Sequence, residues 1–193
     1  MKVARLTGDA LSDAIDALAD LRMNVFRDWP YLYNGDLNYE RRYLRHYQTS
    51  PEALVVTAQV GDWVVGAATA TPLLDHAAEF AQALDGSGID IDRTFYCGES
   101  LLLPSYRGRG VGHQFFDQRE AHARTLGYRY MCFCAVIRPE DHPLRPSGYR
   151  PLEGFWEKRG YARVPGAVAR FGWKDIDQDA ETNKQLQFWM RRL

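Results

Sequence analysis

The stretch Ser105-Tyr106-Arg107-Gly108-Arg109-Gly110-Val111-Gly112-His113 sets three glycines and two arginines between a β-rich run and a helical one. Before it, Thr94 to Leu103 is apolar and aromatic and stops at Pro104, as a strand does. After it, Val111 to Leu126 can turn Phe115, Phe116, Ala123 and Leu126 inward, pairs Glu120 with Arg124 one turn on, and ends at Gly127. A glycine-rich turn at a helix N-terminus is an anion cradle. Glycine lets successive N–H groups turn toward phosphate oxygens, the helix dipole adds partial positive charge, and arginine adds donors of fixed geometry. The spacing disfavours two other phosphate loops. ATP hydrolysis by a Walker loop needs Gly-Lys-Ser/Thr, and the dinucleotide fingerprint needs glycine where His113 stands and an acidic residue about 20 positions on.

Working outward, Tyr128 to Val136 is an apolar run with no polar residue beyond Arg129 and Tyr hydroxyls, as a strand covered on both sides would be. Upstream, Ala53 to Val60 and Trp63 to Thr71 flank Gly61-Asp62 and predict a hairpin. Leu73 to Leu84 reads as a helix or long crossover. At the N-terminus, a strand near Val3 to Leu6 leads into a helix from about Asp9 to Arg27, and Tyr39 to Tyr47 reads as a second helix. Pro151 to Arg159 predicts a brief helix, Tyr161 to Trp173 a strand broken at Pro165-Gly166, and Gln185 to Arg191 a last strand in which Leu186, Phe188 and Met190 alternate with Gln187, Trp189 and Arg191. The pattern predicts an α/β fold, a mixed sheet with helices on both faces, in one domain spanning residues 1–193.

A chain of 193 residues that is 46% hydrophobic can bury a real core, and a net charge of −1 offers no electrostatic footprint for nucleic acid. Cys97, Cys132 and Cys134 have no framework spacing and predict reduced thiols, hence a cytoplasmic setting. No apolar stretch reaches membrane-spanning length, and the acidic first 25 residues do not read as a signal peptide. His46, His76, His113, His122 and His142 are scattered, so no metal is expected. Gly98-Glu99-Ser100 is not a nucleophile elbow, so no covalent enzyme intermediate is expected either.

The R-x-x-G-x-G spacing of Arg107, Gly110 and Gly112 resembles the coenzyme A signature of the GNAT superfamily of acyl-CoA N-acyltransferases. The resemblance extends to Leu101 to Gly108, which looks like that family's fourth strand entering its pyrophosphate loop, and to Phe155 to Tyr161, which looks like its fourth helix and sixth strand. It implies a mostly antiparallel sheet and acetyl-CoA as co-substrate. By this resemblance the backbone of Ser100, Leu101 and Leu102 would pair with the pantetheine arm, an N–H near Leu102 would polarise the thioester carbonyl, and Arg107, Gly108, Arg109, Gly110, Val111, Gly112 and His113 would hold the diphosphate.

An alkyl amine, with a pKa of about 10, must lose a proton before it attacks, and Glu99 is the candidate base. Strand parity sets Glu99 with Leu101 rather than Ser100, although a bulge would change which side it faces. A structural carboxylate is the competing role for Glu99, and Tyr96 is the alternate active-site residue of that strand. The family's proton-donating tyrosine corresponds here to Trp156, which leaves the general acid open; Tyr149 and Tyr161 are nearby, with packing the competing role for each. The family's frequent asparagine after the fifth strand is absent, and the charged loop Ile137 to Pro143 stands there. The first two helices would roof the acceptor site with Arg27, Asp28, Trp29, Tyr31, Tyr33, Asn34, Asp36 and Tyr39, unless these staple the loop to the sheet. The expected activity is acetyl transfer to the primary amine of a small molecule or peptide by direct attack in a ternary complex. The alternative is a non-catalytic acyl-CoA sensor. Edge strands would allow a homodimer.

Overall fold

The computed structural model describes residues 1–6, 9–76 and 78–193. The strands are β1 (Lys2–Leu6), β2 (Leu54–Val60), β3 (Trp63–Pro72), β4 (Thr94–Leu102), β5 (Tyr130–Val136), β6 (Ala162–Lys174) and β7 (Glu181–Arg192). They form one sheet in the order β1-β2-β3-β4-β5-β7-β6, parallel only between β4 and β5. The helices α1 (Asp9–Phe26), α2 (Leu37–Thr49) and α3 (Ala78–Gln82) cover one face, and α4 (Val111–Thr125) and α5 (Glu153–Lys158) cover the other.

Local chemistry explains most boundaries. Asp36 accepts a hydrogen bond from the Tyr39 N–H at 2.8 Å and caps α2, so that helix starts at Leu37, two residues before the sequence suggested. The β2–β3 hairpin turns at Gly61, whose φ of 58° lies in the left-handed region. The stretch from Leu73 to Leu84 is a 3-10 turn (Leu73–Asp75) and the five-residue α3 rather than one helix, with Ala77 outside the described residues. Leu73 and Leu84 still reach the core, one at each end of this crossover. Strand β7 begins at Glu181, four residues before the apolar alternation does, because pairing with β6 holds its polar start. The β6–β7 register slips between Arg163 and Val168, around Pro165-Gly166.

Two features of β4 position the site. First, it pairs with β5 only through Thr94, Tyr96 and Phe95, opposite Tyr130, Cys132 and Met131. Beyond them β5 follows β7 and β4 follows β3, so the strands part and Cys97 to Leu102 keep a β5-facing edge that has no strand partner among the described residues. Second, Ala68 pairs with Ser100 while Ala70 pairs with Cys97, so Gly98 and Glu99 together oppose Thr69 in a β-bulge. The face reads Tyr96, Gly98, Glu99 and Leu101 toward α1–α3, and Phe95, Cys97, Ser100 and Leu102 toward α4.

Candidate active site

The glycine turn is built as a donor array. Gly108 and Gly110 have φ of 74° and 78°, which a residue with a Cβ adopts only at a cost of about 1–2 kcal/mol. Gly110 occupies the N-cap of α4 with no capping side chain. None of the six N–H groups from Gly108 to His113 donates to an acceptor among the described residues, whereas the next, Gln114, donates to the Gly110 carbonyl at 3.3 Å. Val111, buried against Val56, Ala58 and Phe115, anchors this exposed turn to the sheet. Arg107 Nε donates to the Leu102 carbonyl at 3.1 Å, and Arg109 Nη2 donates to the Ser105 carbonyl at 3.0 Å. His113 lies 4.9 Å from the Phe155 ring and 3.2 Å from Arg159 Nη1.

The open edge of β4 ends at this turn. Leu103 N–H donates to the Val65 carbonyl on β3 at 3.0 Å. Alternation along an antiparallel ladder therefore turns the N–H groups of Leu102 and Ser100 the other way, into the gap between β4 and β5. Arg119, fully buried on α4, fixes this segment: Nη1 donates to the Glu99 carbonyl and Nη2 to Ser100 Oγ, each at 2.8 Å. Leu101 packs into the α1–α2 core.

The bulge delivers Glu99 to the opposite face from α4, where its side chain is only 3% exposed. Its carboxylate pairs with Arg22 of α1 and accepts from the Thr69 hydroxyl. Arg22 also pairs with Glu40 of α2, so one guanidinium stands between two buried carboxylates. Burial alone would lower the Arg22 pKa, but electrostatic interaction with Tyr43 and Glu40, together with the hydrogen bond to Glu40, outweighs it and raises it. Thr69 Oγ1 lies 3.0 Å from Tyr47 Oη, which lies 3.1 Å from Tyr43 Oη. Burial pushes both phenols upward. Tyr96, 4% exposed, stacks on His76 at 4.4 Å and packs edge-on against Phe80; burial raises its hydroxyl well above the ordinary range. It is set in the aromatic core.

The family model described as the acetyltransferase (GNAT) family matches residues 18–161. The chain belongs to the GNAT acetyltransferase family. Among solved structures, a ribosomal-protein-alanine N-acetyltransferase from Brucella melitensis aligns over 100% of both chains with a TM-score of 0.65 and 13% identity. An aminoglycoside 6'-N-acetyltransferase complexed with coenzyme A aligns over 100% of this chain and 97% of its own, with a TM-score of 0.61 and 16% identity. The protein yncA of Salmonella typhimurium, solved with its cofactor acetyl-CoA, covers 100% of this chain and 95% of its own with a TM-score of 0.60 and 13% identity. These likenesses establish the fold. No curated protein sequence matches the chain.

Within this GNAT fold, Trp156 on α5 packs against Phe133 and Trp189 at 4.9 and 5.2 Å. The Tyr161 hydroxyl, on the α4 face, donates to Glu120 at 3.2 Å and is raised by burial; it faces away from the Glu99 side. Tyr149 stands edge-on to Trp29 at 5.9 Å, beside the α1–α2 loop. That loop is stapled by Arg138, which donates to the Pro30 and Tyr31 carbonyls at 2.8 and 2.6 Å and pairs with buried Asp175. The charged loop after β5 thus braces the α1–α2 loop, and Tyr31 packs at a tilt against Trp173 at 6.0 Å. The sequence reading passed over Arg22, Glu40, Thr69 and Arg119. A signal for two of them was present: Arg22 continues the Leu11, Ile15, Leu18 stripe of α1, and Glu40 begins the Leu44, Tyr47 stripe of α2, which places opposite charges on two core-facing stripes.

Proposed function

We propose that this protein transfers an acetyl group from acetyl-CoA to a primary amine by direct attack in a ternary complex. The observation that carries the reading is the run of six N–H groups from Gly108 to His113, unengaged among the described residues, at the end of a strand whose own edge is open. The turn and Arg107 and Arg109 would hold the diphosphate, and Ser100, Leu101 and Leu102 would bind the pantetheine arm as an added strand. The Leu102 N–H would then meet the thioester oxygen, and a preorganised donor there stabilises the developing oxyanion by several kcal/mol.

The amine, once neutral, forms the C–N bond as the carbonyl π pair moves to oxygen; collapse breaks the C–S bond and releases coenzyme A thiolate. The proton lost by nitrogen passes to Glu99, directly or through water. Trp156 offers no acidic hydrogen for the thiolate, which takes its proton from solvent. Tyr96, enclosed by His76, Phe80 and Phe188, serves as a wall of the core under this reading. The acceptor is the amine of a small molecule or peptide, with no metal and no nucleic acid involved, in a reducing, cytoplasmic setting where Cys97, Cys132 and Cys134 stay free thiols. Residues 1–193 act as one domain.

Calorimetric titration with acetyl-CoA tests the site. The wild type should bind and the double variant Arg109→Glu, Gly110→Asp should not, since it puts two negative charges and a strained φ into the donor array. No binding by folded wild type would sink the reading. Thiol release across a panel of primary amines then separates an enzyme from an acyl-CoA sensor, which would bind and release none.

A further inference from the structure

The cluster around Glu99 holds more than a base. Arg22 contributes one positive charge against the two carboxylates of Glu40 and Glu99, leaving an excess negative charge in a place nearly closed to water. The groups facing it are Arg22 from α1, Glu40, Tyr43 and Tyr47 from α2, Thr69 from β3, and Tyr33, near Glu40, from the α1–α2 loop; Arg119 of α4 reaches the Glu99 backbone. No second cation among the described residues pairs with either carboxylate. One added proton brings the trio to neutrality.

From Glu99 a line of hydroxyls leads outward: Thr69, then Tyr47 at 3.0 Å, then half-buried Tyr43 at 3.1 Å, with Tyr39 stacked beyond it at the surface. Thr69 has a single hydroxyl hydrogen. When the carboxylate is ionised that hydrogen is given to Glu99, so Tyr47 donates to Thr69 and Tyr43 to Tyr47. Room for this line exists only because residue 98 has no side chain. A Cβ on Gly98 would sit 2.3 Å from Tyr47 Oη and 2.6 Å from Thr69 Oγ1, with Tyr43 Oη next at 3.5 Å. The φ of Gly98 is not positive, so its conformation alone does not call for glycine.

We infer that Thr69, Tyr47 and Tyr43 form a proton exit from the Glu99–Arg22–Glu40 trio to solvent, with Thr69 and Tyr47 acting as positioning residues for the acetyl transfer proposed above, on which the catalytic role rests. After Glu99 takes the amine's proton, the three hydroxyls rotate to point outward. Glu99 then passes its proton to Thr69, Thr69 its own to Tyr47, Tyr47 its own to Tyr43, and Tyr43 its own to a water molecule. Each hydroxyl ends with one hydrogen, Glu99 is again a carboxylate, and one hydronium has left.

The test follows the carboxyl infrared band of the whole, ligand-free protein after a downward pH jump, the band being assigned by its loss in Glu99→Gln and by its shift on labelling the glutamate carboxyl carbons. Tyr47→Phe and Thr69→Val each cut the line while keeping the shape of the side chain; Thr69→Ser keeps the hydroxyl. Protonation should slow by about tenfold or more in Tyr47→Phe and Thr69→Val, because the proton must wait for local opening, and Thr69→Ser should restore the wild-type rate. A smaller slowing in Tyr47→Phe or Thr69→Val, or no glutamate band at any pH at which the wild type stays folded, overturns the inference. Wild type that shows the relay yet releases no thiol with any amine would instead overturn the acetyl-transfer reading.

Discussion

Replacing Gly98 by alanine tests the packing of the bulge with a single methyl group. That carbon would lie 2.3 Å from Tyr47 Oη and 2.6 Å from Thr69 Oγ1, roughly 1 Å inside ordinary non-bonded contact. Tyr47 and Thr69 are 3% and 2% exposed, so neither can step aside into solvent. Overpacking of this kind costs about 1–3 kcal/mol. Shifting Tyr47 also breaks its bonds to Thr69 and Tyr43, at about 1 kcal/mol each. Loss of unfolded-state entropy returns up to about 1 kcal/mol. The net expectation is a destabilisation of about 3 kcal/mol, or a Tm lower by about 6–12 °C at this chain length. Urea unfolding of Gly98→Ala, Tyr47→Phe and the double variant measures it. Because Tyr47→Phe removes the nearest clashing oxygen, the double variant should be more stable than the sum of the single costs by about 1 kcal/mol or more. Strict additivity, or a Gly98→Ala variant as stable as wild type, would refute the account of the bulge.

Two further perturbations concern pH. Burial, with the nearby His46 and Arg22 charges, lowers the His76 pKa to about 4, so the unfolded chain binds more protons than the folded one between about pH 6.5 and that value. Stability should fall as pH drops through this window, and His76→Phe should flatten the dependence; an imidazole resonance titrating near its free value would contradict the packing on Tyr96. At Asp175, burial favours the neutral acid but hydrogen bonds from Arg138 and Lys184 outweigh it, and the net pKa is lowered. Its stabilisation is therefore present above the unfolded carboxylate range and lost as pH falls below about 4. Asp175→Asn should cost about 3–5 kcal/mol at neutral pH by stranding two buried cations, with the loss shrinking in acid; a pH-independent loss in denaturant unfolding would refute this.

The glycine turn was legible because its conformation depends on its own residues: Gly108 and Gly110 take the left-handed φ values that their lack of Cβ permits, and the flanking runs declare strand and helix. The hairpin at Gly61-Asp62 and the break at Pro165-Gly166 were legible for the same reason. The bulge was not, since it exists only as a mismatch of two residues of β4 against one of β3, and nothing in Gly98-Glu99 alone reports what Thr69 does. Parity nevertheless put Glu99 with Leu101, and the structure agrees, with Gly98 added to that face. Arg22 and Glu40 were visible as charges on core-facing stripes, but their partner on β4 could not be found before the helices were laid on the sheet.

The bulge matters because it sets the Glu99 carboxylate and the open edge of β4 on different sides of one strand. Tyr96 faces α1–α3, so a regular strand would carry 98, 100 and 102 to that face and turn Glu99 toward α4. The extra residue reverses the alternation after Gly98: Glu99 joins the Arg22 cluster, Ser100 turns to Arg119, and the Ser100 and Leu102 N–H groups enter the gap left by β5. Arg119 then locks the reversed segment from the α4 side through the Glu99 carbonyl and Ser100 Oγ, while Thr69 locks it from β3 by accepting the Glu99 N–H at 3.1 Å. A carboxylate over one face and a row of donors along the open edge are thereby fixed in the same five residues, and a thioester bound at the edge would meet an amine arriving from the Glu99 face.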